Sequence, residues 1–502
     1  MCKWRKVVAM ELAMPLRFLH PETPPHHSGR LAVIDIGSSS IRLVVYEDVA
    51  NYPYMILNQK VWVALGEGKG EGAFTIDADR IDRASAAIEW FLWVAKEARA
   101  KAVLAIATSA VREAVNGHDF AEALRRRTGL HVHIIDGEAE ARLAAVGACV
   151  SIPDATGLVV DLGGGSLEIY DTTSKLFESL PLGVLSLKVL SGDDPLKAAD
   201  ILYKRIHDLG WPEKAKGSIV AIGSGMRAIA RLHMDHVGYP LKILHDYKLG
   251  KKQGLTFCDD ILHNNISLKS EDMRKKQYRE VMPYRAAALH ALLRLKEATC
   301  VRFATFGLRE GVLFSQVGDC PIIADPLLAF AADWADREGL GADAALRQAS
   351  WVRPFMPDAN PRWLQSACLM GQVVWREQHA YRARTAFDRV LGGAYVAADH
   401  HTRAMLALAV YHIHENKPSE SLLAEIKGVL TEEQILQARR LGALVALTMA
   451  LDPGGKGLLN QFELARDDKG HFTLKGPSSF MAMKSEEVEK RLNEVQDVFN
   501  LG

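Results

Sequence analysis

The sequence predicts an α/β protein over residues 29–318, assembled from two repeated halves, with an all-helical region over 319–502. Three observations carry that prediction. A short apolar stretch runs into a Gly/Ser turn and out into a second apolar stretch, first within 31–46 and again within 157–170. Helical text separates further apolar stretches of strand length, the alternation expected of sheets covered by helices. Beyond Pro321 the strand signals fade, and Ala, Leu, Arg and His recur with helical spacing.

The elements follow in order. Residues 1–28 read as a loose extension closing in Pro21-Glu-Thr-Pro-Pro-His-His-Ser-Gly. Leu31-Ala-Val-Ile-Asp-Ile36 is a buried strand, and Ile41-Arg-Leu-Val-Val-Tyr46 follows a three-serine turn. A helix is expected over 81–100, then a strand over 103–107 and a helix over 109–127 that Thr128-Gly129 ends. A strand over 131–135 leads through Asp136-Gly137 into a helix reaching Val150. The pattern then restarts with strands over 157–162 and 167–170. A third glycine turn, Ile222-Gly-Ser-Gly-Met226, follows a strand over 218–222 and opens a helix. A helix over 282–297, a strand over 302–306 and a helix over 308–316 close this part. The first half is therefore placed at 29–155 and the second at 156–318, with its last helix expected to pack back on the first. In the helical region a hairpin is expected around Asp467–Gly470 and a terminal helix from Glu486.

Bulk numbers bound the function. Sixty-one basic residues balance sixty-one acidic ones, so no global charge advertises nucleic-acid binding. Six cysteines lie far apart without a CxxC pair; Cys149, Cys258 and Cys300 sit in apolar text, as expected of free thiols in a reducing compartment. The apolar stretch near the N-terminus is broken by Glu11 and Pro15, and no segment has the roughly 18 unbroken apolar residues of a membrane span. A cytoplasmic protein with no membrane or nucleic-acid partner is expected.

The chemistry concentrates in the turns. Asp35-Ile-Gly-Ser-Ser-Ser40 and Asp161-Leu-Gly-Gly-Gly-Ser166 align, matching Gly37 with Gly163 and Ser40 with Ser166. Glycines let the backbone approach a ligand with its N–H groups inward, and serine hydroxyls add donors suited to phosphate oxygens. The leading aspartates, Asp35 and Asp161, suit Mg²⁺ or a metal-bound water. One such loop alone is best read as a hairpin closure, whereas the repeat in two equivalent settings points to a phosphate clamp. Neither loop has the Gly-Lys-Ser/Thr of a P-loop or the Gly-x-Gly-x-x-Gly of a dinucleotide fold.

Strand–turn–strand phosphate loops in duplicated halves resemble the actin-like ATPase superfamily. Within it, Ala107-Thr-Ser-Ala-Val-Arg-Glu-Ala-Val-Asn116, Asp136-Gly-Glu-Ala-Glu-Ala-Arg142 and Val160-Asp-Leu-Gly-Gly-Gly-Ser-Leu-Glu168 look like signature blocks of the exopolyphosphatase/guanosine pentaphosphate phosphohydrolase (Ppx/GppA) family. Leu182-Gly-Val, Gly223-Ser-Gly-Met and Leu308-Arg-Glu-Gly-Val-Leu313 resemble its later blocks in the right order. The resemblance covers about residues 30–316. It implies two duplicated actin-like (ribonuclease H-like) domains followed by an all-α, degenerate HD-like C-terminal domain.

By motif position the resemblance makes Glu140 the general base that activates the attacking water, and Arg112 an arginine that contacts phosphate. Glu140 stands in the first turn of its helix, where the dipole favours an ionised carboxylate; Glu138, about 200° away around the helix, cannot face the same substrate. Gly37, Ser38, Ser39, Thr108, Gly163, Gly164, Gly165, Ser166, Gly223 and Ser224 are the implied phosphate-binding residues, and Asp35, Asp161 and Glu168 the implied metal ligands. Ser39 departs from the family's Gly-Ser-Asn-Ser, removing an amide donor from the first loop. Mg²⁺ is the implied cofactor, with an accompanying monovalent cation as an option.

An active HD domain needs an adjacent His-Asp pair. The helical region has none: Asp399-His400-His401 is reversed, and His412-Ile-His414 lacks the acid. Arg382, Arg384, Arg403, Arg439 and Arg440 are candidates to line a path for a long polyanion, although solvated helix faces are the default for each. The expected activity is exopolyphosphatase, acting on inorganic polyphosphate, in a homodimer. Hydrolysis of guanosine pentaphosphate and an actin-like kinase or nucleotide switch, with adenosine at Gly223-Ser-Gly225, are the rivals.

Overall fold

The computed structural model of the chain describes residues 29–47, 52–66, 74–266, 276–317, 324–339, 341–468, 470–482 and 485–501. The N-terminal extension, Cys2 and Cys320 lie outside the described residues. The chain divides into two compact units, one ending at Ala324 and one starting at Asp325.

The first unit holds two sheets. The first contains β1 (Leu31–Ile36), β2 (Ser40–Glu47), β3 (Tyr54–Trp62), β4 (Ala102–Ala107) and β5 (Val132–Ile134), in the order β3-β2-β1-β4-β5. The second contains β6 (Gly157–Leu162), β7 (Leu167–Asp171), β8 (Phe177–Leu180), β9 (Gly217–Ile222), β10 (Tyr247–Gly250) and β11 (Ala298–Phe303), in the order β10-β11-β9-β6-β7-β8. Read from β8 to β11, this order repeats that of the first sheet, and β10 is an added antiparallel edge. The duplication seen in the loops is thus a duplication of topology.

β1 and β6 occupy the centre of their sheets and share one burial pattern: every residue is buried except Asp35 and Asp161, each at the fifth position. Covered sheets leave little room for polar side chains within a strand, so the two aspartates emerge only where the strands end. Ile34, Ile36, Ile41 and Leu43 pack the first core with Phe91 and Phe120 from the helices at 78–97 and 117–128. Val160, Leu167, Ile219 and Phe303 do so in the second core, with Leu202 and Met226.

Several elements differ from expectation. The single helix over 109–127 is two, Ser109–Glu113 and Gly117–Thr128. Ala114 is extended and bridges Phe74, while the Asn116 side chain bonds both the N–H and the carbonyl of Ile76 at 2.9 and 2.8 Å, so tertiary hydrogen bonds override helical propensity. The strand expected over 302–306 is Ala298–Phe303, its register set by pairing with β9. β3 was not foreseen; it is a largely exposed edge strand in which Tyr54-Met-Ile-Leu57 gives way to the polar Asn58-Gln-Lys60.

The helix over 137–151, assigned with the first half by chain order, packs on the second sheet: Ala144 and Ala148 join Val159, Tyr170 and Val220. The helix over 308–317 lies against it so closely that a Cβ on Gly311 would sit 1.8 Å from the Leu143 carbonyl oxygen. It also reaches the first sheet, where the Tyr46 hydroxyl donates to Glu310 at 2.5 Å.

The second unit is helical, apart from the hairpin β12 (Glu463–Arg466) and β13 (Phe472–Lys475). Its candidate arginines have partners within the unit. Arg403 is buried and donates to the carbonyls of Leu391, Gly393 and Tyr395. Arg384 pairs with Asp388 and Glu425, Arg382 caps the carbonyls of Glu377 and Trp375, and Arg440 donates to Val498. Each is engaged in holding helices and loops together, and Arg439 has its Nε buried. His412 is buried with Nδ1 on the Glu415 carbonyl, and His414 bonds the Gly371 carbonyl, so both pack the fold. Among the described residues no helix is long and apolar enough to cross a membrane.

Candidate active site

The two Asp-x-Gly loops are built alike. In each, the glycine N–H donates to the carbonyl of the closing serine: Gly37 to Ser40 at 3.1 Å and Gly163 to Ser166 at 3.0 Å. Each is also clasped from outside. Val63 and Ala64 donate to the Ser39 carbonyl and Gly66 to that of Ser38, at 3.2, 3.0 and 2.8 Å. On the second loop, Val184 and Leu185 donate to the carbonyls of Gly163 and Gly164 at 3.1 and 2.9 Å. With these carbonyls turned back into the fold, N–H and hydroxyl donors remain for a ligand, the requirement of an anion nest.

The loops face each other. A Cβ on Gly164 would lie 3.1 Å from the Ser39 hydroxyl and 3.6 Å from the Ser38 Cβ. Together with Asp35, Asp161, Glu140, Glu168 and the third glycine turn they line a cleft of about 490 Å³. Ser38 shares a hydrogen bond of 3.1 Å with Ser109, and Thr108 lines the cleft beside it. Gly223 and Ser224 line the opposite wall, with Gly223 at a φ of +94°, where its Cβ would be 3.0 Å from Asp161 Oδ1.

Glu140 is buried at the cleft, and burial raises its pKa to about 7. Arg112 opposes that shift, whereas Asp161 and Asp35 add to it. Desolvation therefore outweighs the first-turn dipole that the sequence reading relied on. Such a carboxylate is matched to proton abstraction near neutral pH.

Two residues fall elsewhere than expected. Arg112 is not part of the cleft lining; its Nη1 donates to the Ile135 carbonyl at 2.9 Å and to Glu140 Oε2 at 2.8 Å, which places it behind the base. Gly165 does not line the cleft either, and its carbonyl accepts from the Ser186 hydroxyl at 3.0 Å. Glu138 pairs with Arg142 at 2.6 Å on the outer face of the helix.

Asp35 and Asp161 converge from the two central strands. Burial raises both pKa values, that of Asp161 to about 6, with Asp35 adding to the rise at Asp161 and Arg309 and Arg42 opposing the rise at Asp35. Glu168 is raised well above the usual range by burial, then by Glu140 and Asp161, and accepts from the Ser179 hydroxyl at 3.1 Å. The donors are all hard oxygens, yet no three acids among the described residues are grouped closely enough to chelate an ion by themselves. That set fits Mg²⁺, which keeps several waters and takes one or two carboxylates plus substrate phosphate.

The sequence reading missed most of the cationic lining: Arg42, Lys60, Lys188, Arg227, Arg285 and Arg309. Arg227 and Arg309 lay beside recognised blocks, one after Gly223-Ser-Gly-Met226 and one within Leu308-Arg-Glu-Gly311, so proximity to those motifs was an available signal. Lys60, on the unforeseen edge strand, gave none.

Comparison with known proteins gives a consistent picture. The model of the Ppx/GppA phosphatase family matches residues 44–319, more than half of the 502, and that of the exopolyphosphatase C-terminal region matches 357–500. Exopolyphosphatase 1 of Mycobacterium tuberculosis is 32% identical over 174 residues, 33% of this chain and 50% of that protein. A putative exopolyphosphatase of Haemophilus influenzae is 28% identical over 214 residues, covering 40% and 66%. The chain thus spans between half and two thirds of the length of these curated relatives. The crystal structure of an exopolyphosphatase from Cytophaga hutchinsonii, 21% identical, superposes with a TM-score of 0.50 over 58% of this chain and 99% of that one, a likeness of fold.

Proposed function

The chain belongs to the Ppx/GppA phosphatase family, and from that premise we propose that it is an exopolyphosphatase, releasing orthophosphate from the end of inorganic polyphosphate. The observation that carries the reading is Glu140: a buried carboxylate with a pKa of about 7, held by Arg112, in the same cleft as both phosphate loops.

The terminal phosphate sits between the loops, taken by their N–H groups and by Ser38, Ser39 and Ser166. Glu140 accepts a proton from water as the water oxygen bonds to the terminal phosphorus. The P–O bond to the next phosphate breaks, and the shortened chain leaves with the bonding electrons. Arg227 and Arg309 line the cleft and offset the negative charge on the oxygens. Asp35 and Asp161 would hold Mg²⁺, which supplies charge neutralisation to the phosphate oxygens. Arg112 acts through Glu140 as a positioning residue.

The buried free thiols Cys149, Cys258, Cys300 and Cys368 support a cytoplasmic setting. A homodimer is part of the same proposal and rests on the resemblance.

Phosphate release from long-chain polyphosphate and from guanosine pentaphosphate tests the reading. Hydrolysis of the polymer, lost by about 10²–10⁴ in turnover on Glu140→Gln, is the expected result. Wild-type turnover in that variant, or release from the nucleotide alone, overturns it.

A further inference from the structure

The register of the first sheet sets a row of side chains leading away from the catalytic centre. Asp35 on β1 is paired with Arg42 on β2, and Arg42 in turn with Lys60 on β3. Two residues along, Ser40 is paired with Trp62. Residues paired across strands, and those two apart on one strand, share a face. The strands lie about 4.8 Å apart, so the row carries positive charge roughly 10 Å outward from Asp35. Asp35, Ser40, Arg42, Lys60 and Trp62 all line the cleft.

Details of the row favour an anionic ligand. Arg42 and Lys60 are paired directly across β2 and β3, which concentrates positive charge on this stretch of the cleft lining. The Arg42 guanidinium is aimed by Asn58, whose Oδ1 accepts from Nη1 at 3.2 Å. The Lys60 ammonium stands 5.9 Å from the centroid of the Trp62 ring, and the Trp62 carbonyl accepts from Arg83 at 3.1 Å. The aromatic ring and its anchored backbone hold the ammonium at the cleft's edge. Trp62 itself is 48% exposed, a large apolar side chain left at the mouth of a polar site.

We propose that Arg42 and Lys60, braced by Trp62, form a subsite for the phosphates that trail behind the one being cleaved. Preference for long chains is then set on the outer strands of the first sheet, at some distance from the base. This inference rests on the polyphosphate reading above.

The test compares long-chain polyphosphate with tripolyphosphate as substrates of wild type and Lys60→Gln. The expected result is a KM for the long chain raised about tenfold in the variant, with kcat nearly unchanged. The KM for tripolyphosphate, which cannot reach past the centre to the edge strand, should move less than about twofold. An unchanged KM for the long chain, or equal losses on both substrates, overturns the subsite. A separate readout is binding of long-chain polyphosphate to Glu140→Gln with and without Lys60→Gln, followed by calorimetry. Binding weakened by the lysine change supports the subsite even if no hydrolysis is found, in which case only the assigned activity fails. Equal binding, or none, overturns it. Lys60 is exposed on an edge strand, so its replacement leaves the fold intact, checked by an unchanged melting temperature.

Discussion

Arg112 Nη1 lies 2.8 Å from Glu140 Oε2 and 2.9 Å from the carbonyl oxygen of Ile135, joining the candidate base to the end of the strand that precedes its helix. The guanidinium fixes where the carboxylate points and restrains the rise in its pKa. Arg112→Met should therefore lower kcat about 10–100-fold with a smaller change in KM. It should also move the acid limb of the pH profile upward. Arg112→Lys should restore part of both. A variant whose turnover falls while the limb stays put would place Arg112 on the substrate instead.

Glu140 sets a pH dependence. The base must be ionised, so kcat/KM should fall as pH drops through about 7, the value burial gives it. Stability runs in the opposite sense. A carboxylate whose folded pKa is raised stabilises the fold below its unfolded pKa, and that contribution is lost as pH rises through the folded value. The melting temperature of wild type relative to Glu140→Gln should thus decline between pH 5 and pH 8. A gap independent of pH would show that the carboxylate is not perturbed.

Asp35 and Asp161 share the cleft, and the Asp35 carboxylate adds to the rise that burial gives the pKa of Asp161. A divalent cation offsets that charge. Chelation should abolish phosphate release and Mg²⁺ restore it, while Asp161→Asn should raise the Mg²⁺ concentration needed for half activity about tenfold or more. Full activity in chelator would remove Mg²⁺ from the proposal.

Gly183 permits the second loop its position. A Cβ there would fall 2.4 Å from the Ser166 nitrogen and 2.5 Å from the carbonyl of Gly164, all backbone atoms that cannot step aside. Gly183→Ala should cost about 1–3 kcal/mol of stability by overpacking, and turnover should drop at least tenfold because the loop amides are displaced. Denaturant unfolding and steady-state kinetics on one preparation check both.

The loops and their two aspartates were legible in the sequence because they depend on local spacing, whereas Glu140 was marked out by the resemblance of its block to the family's. A glycine, a serine and an aspartate within six residues make a turn that alone reads as a hairpin closure, and it is the repeat 126 residues later (161 − 35) that points to a ligand. Central strands such as Leu31–Ile36 were legible for a similar reason: both faces are covered, so the apolar run is unbroken up to Asp35.

What the tertiary structure decided was where side chains point. Arg112 sits in a recognised block yet turns to Glu140 and the Ile135 carbonyl, partners supplied by a later segment of the chain. Lys60 lies in the polar part of a mostly exposed edge strand, and only the pairing with Arg42 brings it into the cleft. The sequence by itself determined the duplicated halves and their Asp-x-Gly loops, since these are properties of contiguous residues. The cationic lining and the partner of Arg112 were decided by strand register and by burial, which no local window contains.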